Sequence, residues 1–178
     1  MRRLRSTIYL LILFALLIAY AWIERIGIGT QEIRAANGER VDVRDGDTLL
    51  IGATKFRVYG IDAPELHQNC TDATGRSWPC GVAATDRLKA LMAAPGAGCT
   101  PRARDRFARE IATCRTDAVP DIGRVMVSEG LAVAFGVGEE SDYLGEEAAA
   151  EAAKRGLWQG HFERPRAWRD AHPRGEGN

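Results

Sequence analysis

Across 178 residues the chain carries 24 Lys and Arg against 24 Asp and Glu, a formal net charge of zero. Arg2, Arg3 and Arg5 precede an apolar run, which leaves 24 − 3 = 21 basic against 24 acidic side chains in the remainder. That slightly negative balance argues against tight, charge-driven binding of bulk phosphate, though not against an enzyme with a local basic cleft. The length fits about one domain, large enough to bury a core without metals or crosslinks.

The first element in chain order is the uncharged run Thr7 to Ile23, at the lower edge of the length of a membrane-spanning helix. The arginines in front of it place the N-terminus in the cytoplasm and send the remainder across the membrane. Ala19-Tyr20-Ala21 resembles a signal-peptidase site, whereas Tyr20 and Trp22 read as interfacial aromatics of a retained anchor. The retained anchor is preferred, and both readings export the domain. The expected organisation is an anchor or signal segment over residues 1–26, a linker over 27–38, a folded domain over 39–168 and a disordered polar tail over 169–178. The domain is then expected in the periplasm, on a single-pass inner-membrane anchor, or outside the cell if the segment is cleaved.

Alternation of Val41 and Val43 predicts a strand over Arg40 to Arg44, and Asp45-Gly46 is a hairpin turn signal. Thr48 to Ile51 and Lys55 to Ile61 are the next strands, joined through Gly52-Ala53, and Pro64 ends the second. Leu66 to Pro79 is too rich in Asn, Thr, Asp, Gly and Ser for a regular element, and reads as an excursion tied off by Cys70 and Cys80. Gly81 to Met92 is helical, with Val82, Ala84, Leu88, Leu91 and Met92 at helical spacing and Pro95-Gly96 as its stop. A strand near Cys99, a basic turn over Arg102 to Arg106 and a return strand over Arg109 to Cys114 make a hairpin. Asp121 caps a helix to Glu129 with Gly130 behind it. Leu131 to Phe135 is a short strand, and Ser141 or Asp142 caps a last helix to Arg155, ending at Gly156-Leu157. The strand count predicts an α+β fold: a closed five-stranded barrel of the OB type with about three helices.

Cys70, Cys80, Cys99 and Cys114 contain no C-x-x-C pair and no histidine at zinc-finger spacing. Two disulfides in an oxidising compartment are the natural reading. Of the three possible pairings, Cys70–Cys80 with Cys99–Cys114 closes the shortest loops.

The chemistry concentrates between Asp45 and Glu65. Folding this stretch back on itself brings Asp47, Arg57 and Asp62 to one end. Asp47 and Asp62 offer hard oxygen ligands that suit Ca²⁺ or Mg²⁺, without the spacing of an EF-hand loop. Glu65, aimed by the turn at Pro64, is placed to orient or deprotonate a water. Strand alternation puts Arg57 on the opposite face from Asp62, so their convergence requires a bulge or twist at Gly60.

Asp45-Gly46-Asp47-Thr48, Arg57 and Gly60-Ile61-Asp62-Ala63-Pro64-Glu65 resemble the signature of the thermonuclease, or staphylococcal nuclease-like, family. The resemblance continues through Asp105-Arg106-Phe107-Ala108-Arg109, Gly130-Leu131-Ala132 and Gly156-Leu157-Trp158, and so covers roughly Arg40 to Trp168. It implies that Asp47, Asp62 and the Ala63 carbonyl hold a catalytic Ca²⁺, with Asp45 and Thr48 supporting them. It implies that Glu65 acts on the attacking water, and that Arg57 and Arg109 bind the scissile phosphate. The implied activity is cleavage of DNA or RNA phosphodiesters, leaving 3′-phosphate ends; separately, no obligate protein partner is expected. Ala108 stands where the family has glycine, and Phe107 where it commonly has tyrosine. If that glycine has a positive φ, alanine there costs stability or displaces Arg109. Taken together, the residues and the resemblance point to an exported, calcium-dependent endonuclease. Its rivals are a non-catalytic nucleic-acid- or protein-binding module and an envelope domain that binds Ca²⁺ for stability alone.

Overall fold

Short runs of alternating apolar residues form the strands, and the register between them decides what the sheet presents at its mouth. In the computed structural model of the chain, residues 12–18, 20, 33–34, 39–136 and 142–173 are described. They divide into two units, Met1–Gln31 and Glu32–Asn178. In the first unit, residues 12–18 and 20 are helical and exposed. Among the described residues no helix is long and apolar enough to cross a membrane. The rest of the expected span Thr7 to Ile23 lies outside the described residues, as does the expected linker apart from Ile33 and Arg34.

The second unit is α+β. Its strands are β1 (Ile33–Arg34), β2 (Val41–Val43), β3 (Thr48–Ile51), β4 (Thr54–Val58), β5 (Ile61–Asp62), β6 (Cys70–Thr71), β7 (Ser77–Trp78), β8 (Gly98–Arg104), β9 (Glu110–Arg115) and β10 (Val133–Ala134). Its helices are α1 (Cys80–Met92), α2 (Ile122–Ser128), α3 (Leu144–Ala152) and α4 (Pro165–Ala171), with a 3₁₀ turn at Gly156–Gln159. Six strands form one sheet in the order β1-β8-β9-β4-β3-β2. The β4–β9 pair is parallel, and the remaining pairs of this sheet are antiparallel.

This corrects the expected closed barrel. The edge strands β1 and β2 lie at opposite ends of an open ladder, and β10 returns to pair with β5 in a separate two-stranded ladder instead of closing the sheet. The physical reason is the break after Val58: Tyr59 and Gly60 form a turn, with Gly60 at φ 73°, so β5 leaves the line of β4 before the sheet can curl shut.

The core lies between this sheet and the helices. Leu49 faces Phe56 across the β3–β4 ladder, and both are fully buried with Ile61, Leu88, Ile122 and Met126. At about 25 cal/mol per Å² of apolar surface, each such side chain contributes roughly 1.5–3 kcal/mol of transfer free energy. Helix α1 buries Ala84, Leu88, Leu91 and Met92 as its spacing predicts, while Val82 turns outward. Asp121 caps α2 by accepting from the Arg124 amide, and Gly130 follows with φ 70°.

Helix α3 differs from expectation at both ends. Its N-terminal position is Tyr143, with no side-chain cap, because the Tyr143 ring is buried and its hydroxyl donates to Asp121 instead. Its C-terminal turn closes through Lys154 at φ 51°, with Arg155 N–H donating to the Ala150 carbonyl. That is a Schellman ending built on lysine. Gly156, two residues later, is also left-handed, at φ 53°, and a Cβ there would lie 2.3 Å from the Gly130 carbonyl oxygen.

Both expected disulfides are present, Cys70–Cys80 and Cys99–Cys114. Cys99 and Cys114 are register partners in the β8–β9 hairpin. Cys70–Cys80 ties the small β6–β7 ladder, in a stretch expected to hold no regular element, to the first residue of α1.

Candidate active site

The register of β3 and β4 sets Thr48 opposite Arg57, and so places Asp47, at the mouth of the hairpin, beside the guanidinium. Arg57 Nη1 lies 2.9 Å from Asp47 Oδ1, and Nη2 lies 2.7 Å from Asp62 Oδ1. One planar fork therefore bridges the two acids. The turn at Gly60 makes this possible by reversing the alternation that would otherwise separate Arg57 from Asp62.

Asp47 is fixed from every side. Its Oδ1 accepts from the Thr48 hydroxyl at 2.8 Å, its Oδ2 from the Ala63 amide at 3.1 Å, and its own amide donates to Asp45 Oδ1 at 3.0 Å. Gly46 is required by close approach, since a Cβ there would meet the Ala63 and Ala84 methyls at 2.6 and 2.8 Å. Asp47 and Asp62 are both buried. Charges held this deeply stabilise the fold only as partners, and deleting one of them strands the others at a cost of about 3–5 kcal/mol.

Glu65 is positioned from outside the sheet. Its amide donates to the side-chain oxygen of Gln68, and the Gln68 amide returns to the Glu65 carbonyl. Gln68 is fully buried and donates through Nε2 to the Glu163 carbonyl at 2.7 Å. The start of α1 presses on the same turn, where a Cβ on Gly81 would fall 1.8 Å from the Glu65 carbonyl oxygen. The Cys70–Cys80 disulfide thus fastens the helix start against which the Glu65 turn is packed.

Arg109 arrives on the β8–β9 hairpin. Asp105 holds its guanidinium at 2.8 Å from Nε and 2.7 Å from Nη2, while Asp105 Oδ1 accepts from the Phe107 and Arg109 amides. Between them Ala108 takes φ 59°, in the left-handed region that favours glycine. Arg106 and Arg109 both lie over the Phe107 ring, at 4.8 and 5.5 Å from its centroid, and the ring is 65% exposed.

Glu65 and Arg109 line one open cleft of about 480 Å³, together with Asp45, Arg44, Lys55 and His67. Asp47, Arg57 and Asp62 meet one another directly, while Arg109 is held by Asp105. Arg44 and Lys55 are additions that were not expected at the site. Lys55 is readable in hindsight, because it shares the β4 face of Arg57, two residues away.

The larger omission is Arg169. The helix α4 runs through the boundary expected at 168/169. From it Arg169 Nη2 reaches both Asp62 oxygens at 3.0 Å, and Nη1 reaches Glu65 Oε1 at 3.2 Å.

Four carboxylates, Asp45, Asp47, Asp62 and Glu65, face two guanidinium groups, Arg57 and Arg169. Burial, then the negative charges of Asp47 and Glu65, push the Asp45 carboxyl up to about 7. Burial and the Asp47 charge also raise Asp62, against the opposing pull of Arg169 and Arg57. Burial works against the charge on Arg57, but Asp47 and Asp62 outweigh it and hold the guanidinium above its ordinary value. Among the described residues no group of three or more His, Cys, Asp and Glu side chains is arranged to hold a metal ion. The expected centre uses two carboxylates, Asp47 and Asp62, and both are turned to arginines, Asp47 to Arg57 and Asp62 to Arg57 and Arg169. The donor set itself fits a hard divalent cation, being all oxygen, partly buried and in excess of its positive partners.

A carboxylate-rich end of a small α+β sheet, with arginine forks beside an open basic cleft, is equipment for handling phosphate esters. Residues 55–160 match the family of staphylococcal nuclease homologues, and the chain belongs to that family. The matched stretch contains Arg57, Asp62, Glu65 and Arg109, begins after Asp47 and ends before Arg169. The chain is 32% identical over 132 residues to the endonuclease YhcR of Bacillus subtilis (strain 168), a match that covers 65% of this chain and 11% of that protein. It is 29% identical over 121 residues to the succinoglycan biosynthesis protein ExoI of Rhizobium meliloti (strain 1021), covering 67% of this chain and 63% of that protein. The chain thus spans less than two thirds of the length of either relative.

Proposed function

We propose that the chain is an endonuclease that hydrolyses DNA or RNA phosphodiesters with a divalent cation, Ca²⁺ by family resemblance, in the periplasm or outside the cell. The observation that carries this reading is the single cleft shared by Glu65 and Arg109, with the Arg57-bridged pair Asp47 and Asp62 beside it. Asp47 and Asp62, with the Ala63 carbonyl, would hold the cation, and Thr48 and Asp45 keep Asp47 oriented. When bound, the cation supplies Lewis-acid charge stabilisation to the phosphoryl group. Glu65 takes a proton from the attacking water, or orients it, as the water oxygen bonds to phosphorus and the ester oxygen departs. Arg57 and Arg109 offer planar forks to the phosphoryl oxygens, whose charge grows towards the transition state. Arg44 and Lys55 draw the polyanion to the cleft without a strongly basic domain. The two disulfides support an oxidising compartment.

The alternative, a binding module that does not cut, is favoured by one observation, the exposed Phe107 ring between Arg106 and Arg109. That surface suits base stacking beside a phosphate. Plasmid nicking in Ca²⁺ and in EDTA separates the two. Nicking that requires the cation supports the nuclease. Retention of nucleic acid with no cutting in either condition supports the module and overturns the proposal.

A further inference from the structure

Arg169 touches two acids that the proposed reaction needs, yet it lies 107 residues from Asp62 and 104 from Glu65 in sequence. Its geometry is that of a seated ligand. Nη2 sits symmetrically on both Asp62 oxygens, 3.0 Å from each, and Nη1 extends to Glu65 Oε1 at 3.2 Å. Asp62 Oδ1 additionally receives Arg57 at 2.7 Å, so both of its oxygens are engaged by guanidinium groups. Asp62 is buried beneath this contact, while the Arg169 side chain keeps 30% of its surface exposed.

The rest of helix α4 is weakly anchored. Pro165 is its only buried residue. Trp168 is half-buried and stacks on His172 of the same segment, 4.3 Å between ring centroids, and it belongs to neither buried apolar cluster. The preceding residues hold more firmly, Arg164 Nη2 lying 2.8 Å from Glu147 Oε1 and the Glu163 carbonyl accepting from Gln68. A short helix with a fixed N-terminal end and few apolar contacts opens at low free energy. The ion pairs of Arg169 join it to Asp62 of β5 and to Glu65.

We propose that Arg169 is a tethered counter-cation, an autoinhibitory latch that competes with the divalent cation for Asp62 while also holding Glu65, so that cation loading releases helix α4. This rests on the proposed cation-dependent reading of the site. A divalent ion coordinates carboxylate oxygens at roughly 2.3–2.6 Å. A guanidinium donating to both oxygens of the same carboxylate cannot keep its place there, on grounds of both space and like charge. Arg57 differs in place, since it bridges Asp47 and Asp62 from β4 of the sheet and its side chain is only 13% exposed. Release of Arg169 also removes its hold on the Glu65 carboxylate, so one displacement acts on the cation site and the water-handling group together.

The test is calcium binding measured by titration calorimetry on the purified full chain, with Arg169→Gln and Arg169→Lys beside wild type. Circular dichroism melts confirm folding. The expected result is binding about tenfold tighter for Arg169→Gln, equivalent to about 1.4 kcal/mol, with Arg169→Lys between it and wild type. Hydrogen exchange of residues 165–171 is expected to rise severalfold when wild type is loaded with Ca²⁺, and to be fast in Arg169→Gln without it. Unchanged or weaker calcium binding by Arg169→Gln, with wild type binding normally, overturns the latch alone. Absence of calcium binding by all three folded proteins overturns the latch and the cation-dependent reading together.

Discussion

Replacing Ala108 by glycine tests how the hairpin tolerates a side chain in a left-handed turn. Ala108 has φ 59°, and for a residue with a Cβ that region costs roughly 1–2 kcal/mol. Glycine removes this strain but adds chain entropy to the unfolded state, worth about 0.4–1 kcal/mol in the opposite direction. The net expectation for Ala108→Gly is a stabilisation of about 0.5–1 kcal/mol, or a melting temperature higher by about 1–4 °C for a domain of this size. Urea unfolding is the direct assay, with a raised midpoint and an unchanged slope. Activity is expected to change less than about threefold, because Nε and Nη2 of Arg109 both donate to Asp105 Oδ2, at 2.8 and 2.7 Å, while Asp105 Oδ1 is tied to the Phe107 and Arg109 amides. A lower midpoint for Ala108→Gly would refute the strain. An activity gain above tenfold would instead mean that alanine displaces Arg109 and that Asp105 does not compensate.

Other substitutions separate chemistry from support. Glu65→Ala and Arg109→Ala are expected to lower nicking at least about a hundredfold, on the scale of losing one transition-state stabilising group, with far-UV circular dichroism unchanged. Arg57→Ala is expected to lose activity similarly and to melt lower as well, because it leaves Asp47 and Asp62 buried without their shared partner, a loss of about 3–5 kcal/mol. Gly81→Ala puts a methyl 1.8 Å from the Glu65 carbonyl oxygen; the backbone must yield, costing about 1–3 kcal/mol, and kcat is expected to fall at least tenfold as Glu65 shifts. Removing the Cys99–Cys114 bridge by Cys99→Ala with Cys114→Ala is expected to cost about 3 kcal/mol in urea unfolding, from the loop it closes. The corresponding Cys70–Cys80 double variant is expected to lose activity out of proportion to stability, since that bridge steadies the helix start behind Glu65.

Local order was legible wherever neighbouring residues decide it. The hairpin strands, helix α1, the Asp121 cap and both disulfides follow from alternation, spacing, capping chemistry and loop length. The open sheet was not legible, because whether β10 completes the main sheet or pairs with β5 depends on where the chain turns at Gly60, and hydrophobic alternation does not encode that choice. The ending of α3 shows the same limit in miniature. Gly156, whose type suggests a left-handed stop, does take φ 53°, but Lys154 at φ 51° is the residue that closes the helix, and the glycine two residues later also allows the close approach to Gly130.

The site divides along a similar line. Arg57 lies 10 residues after Asp47 and 5 before Asp62. The one geometric obstacle to their meeting, the alternation between positions 57 and 62, is removed by the positive φ of Gly60. A glycine between an arginine and an acid on consecutive strand segments is therefore a usable signal. Arg169 offered no such signal. It sits in a segment with Arg164 and Arg166, residues of the same type, and only the docking of α4 distinguishes the arginine that reaches Asp62 from the one that reaches Glu147. Such a contact is set by where a helix lands, a tertiary quantity. Its physical trace in the sequence is indirect: an acidic cluster with more carboxylates than nearby cations requires compensating charge, and arginines elsewhere in the chain can supply it.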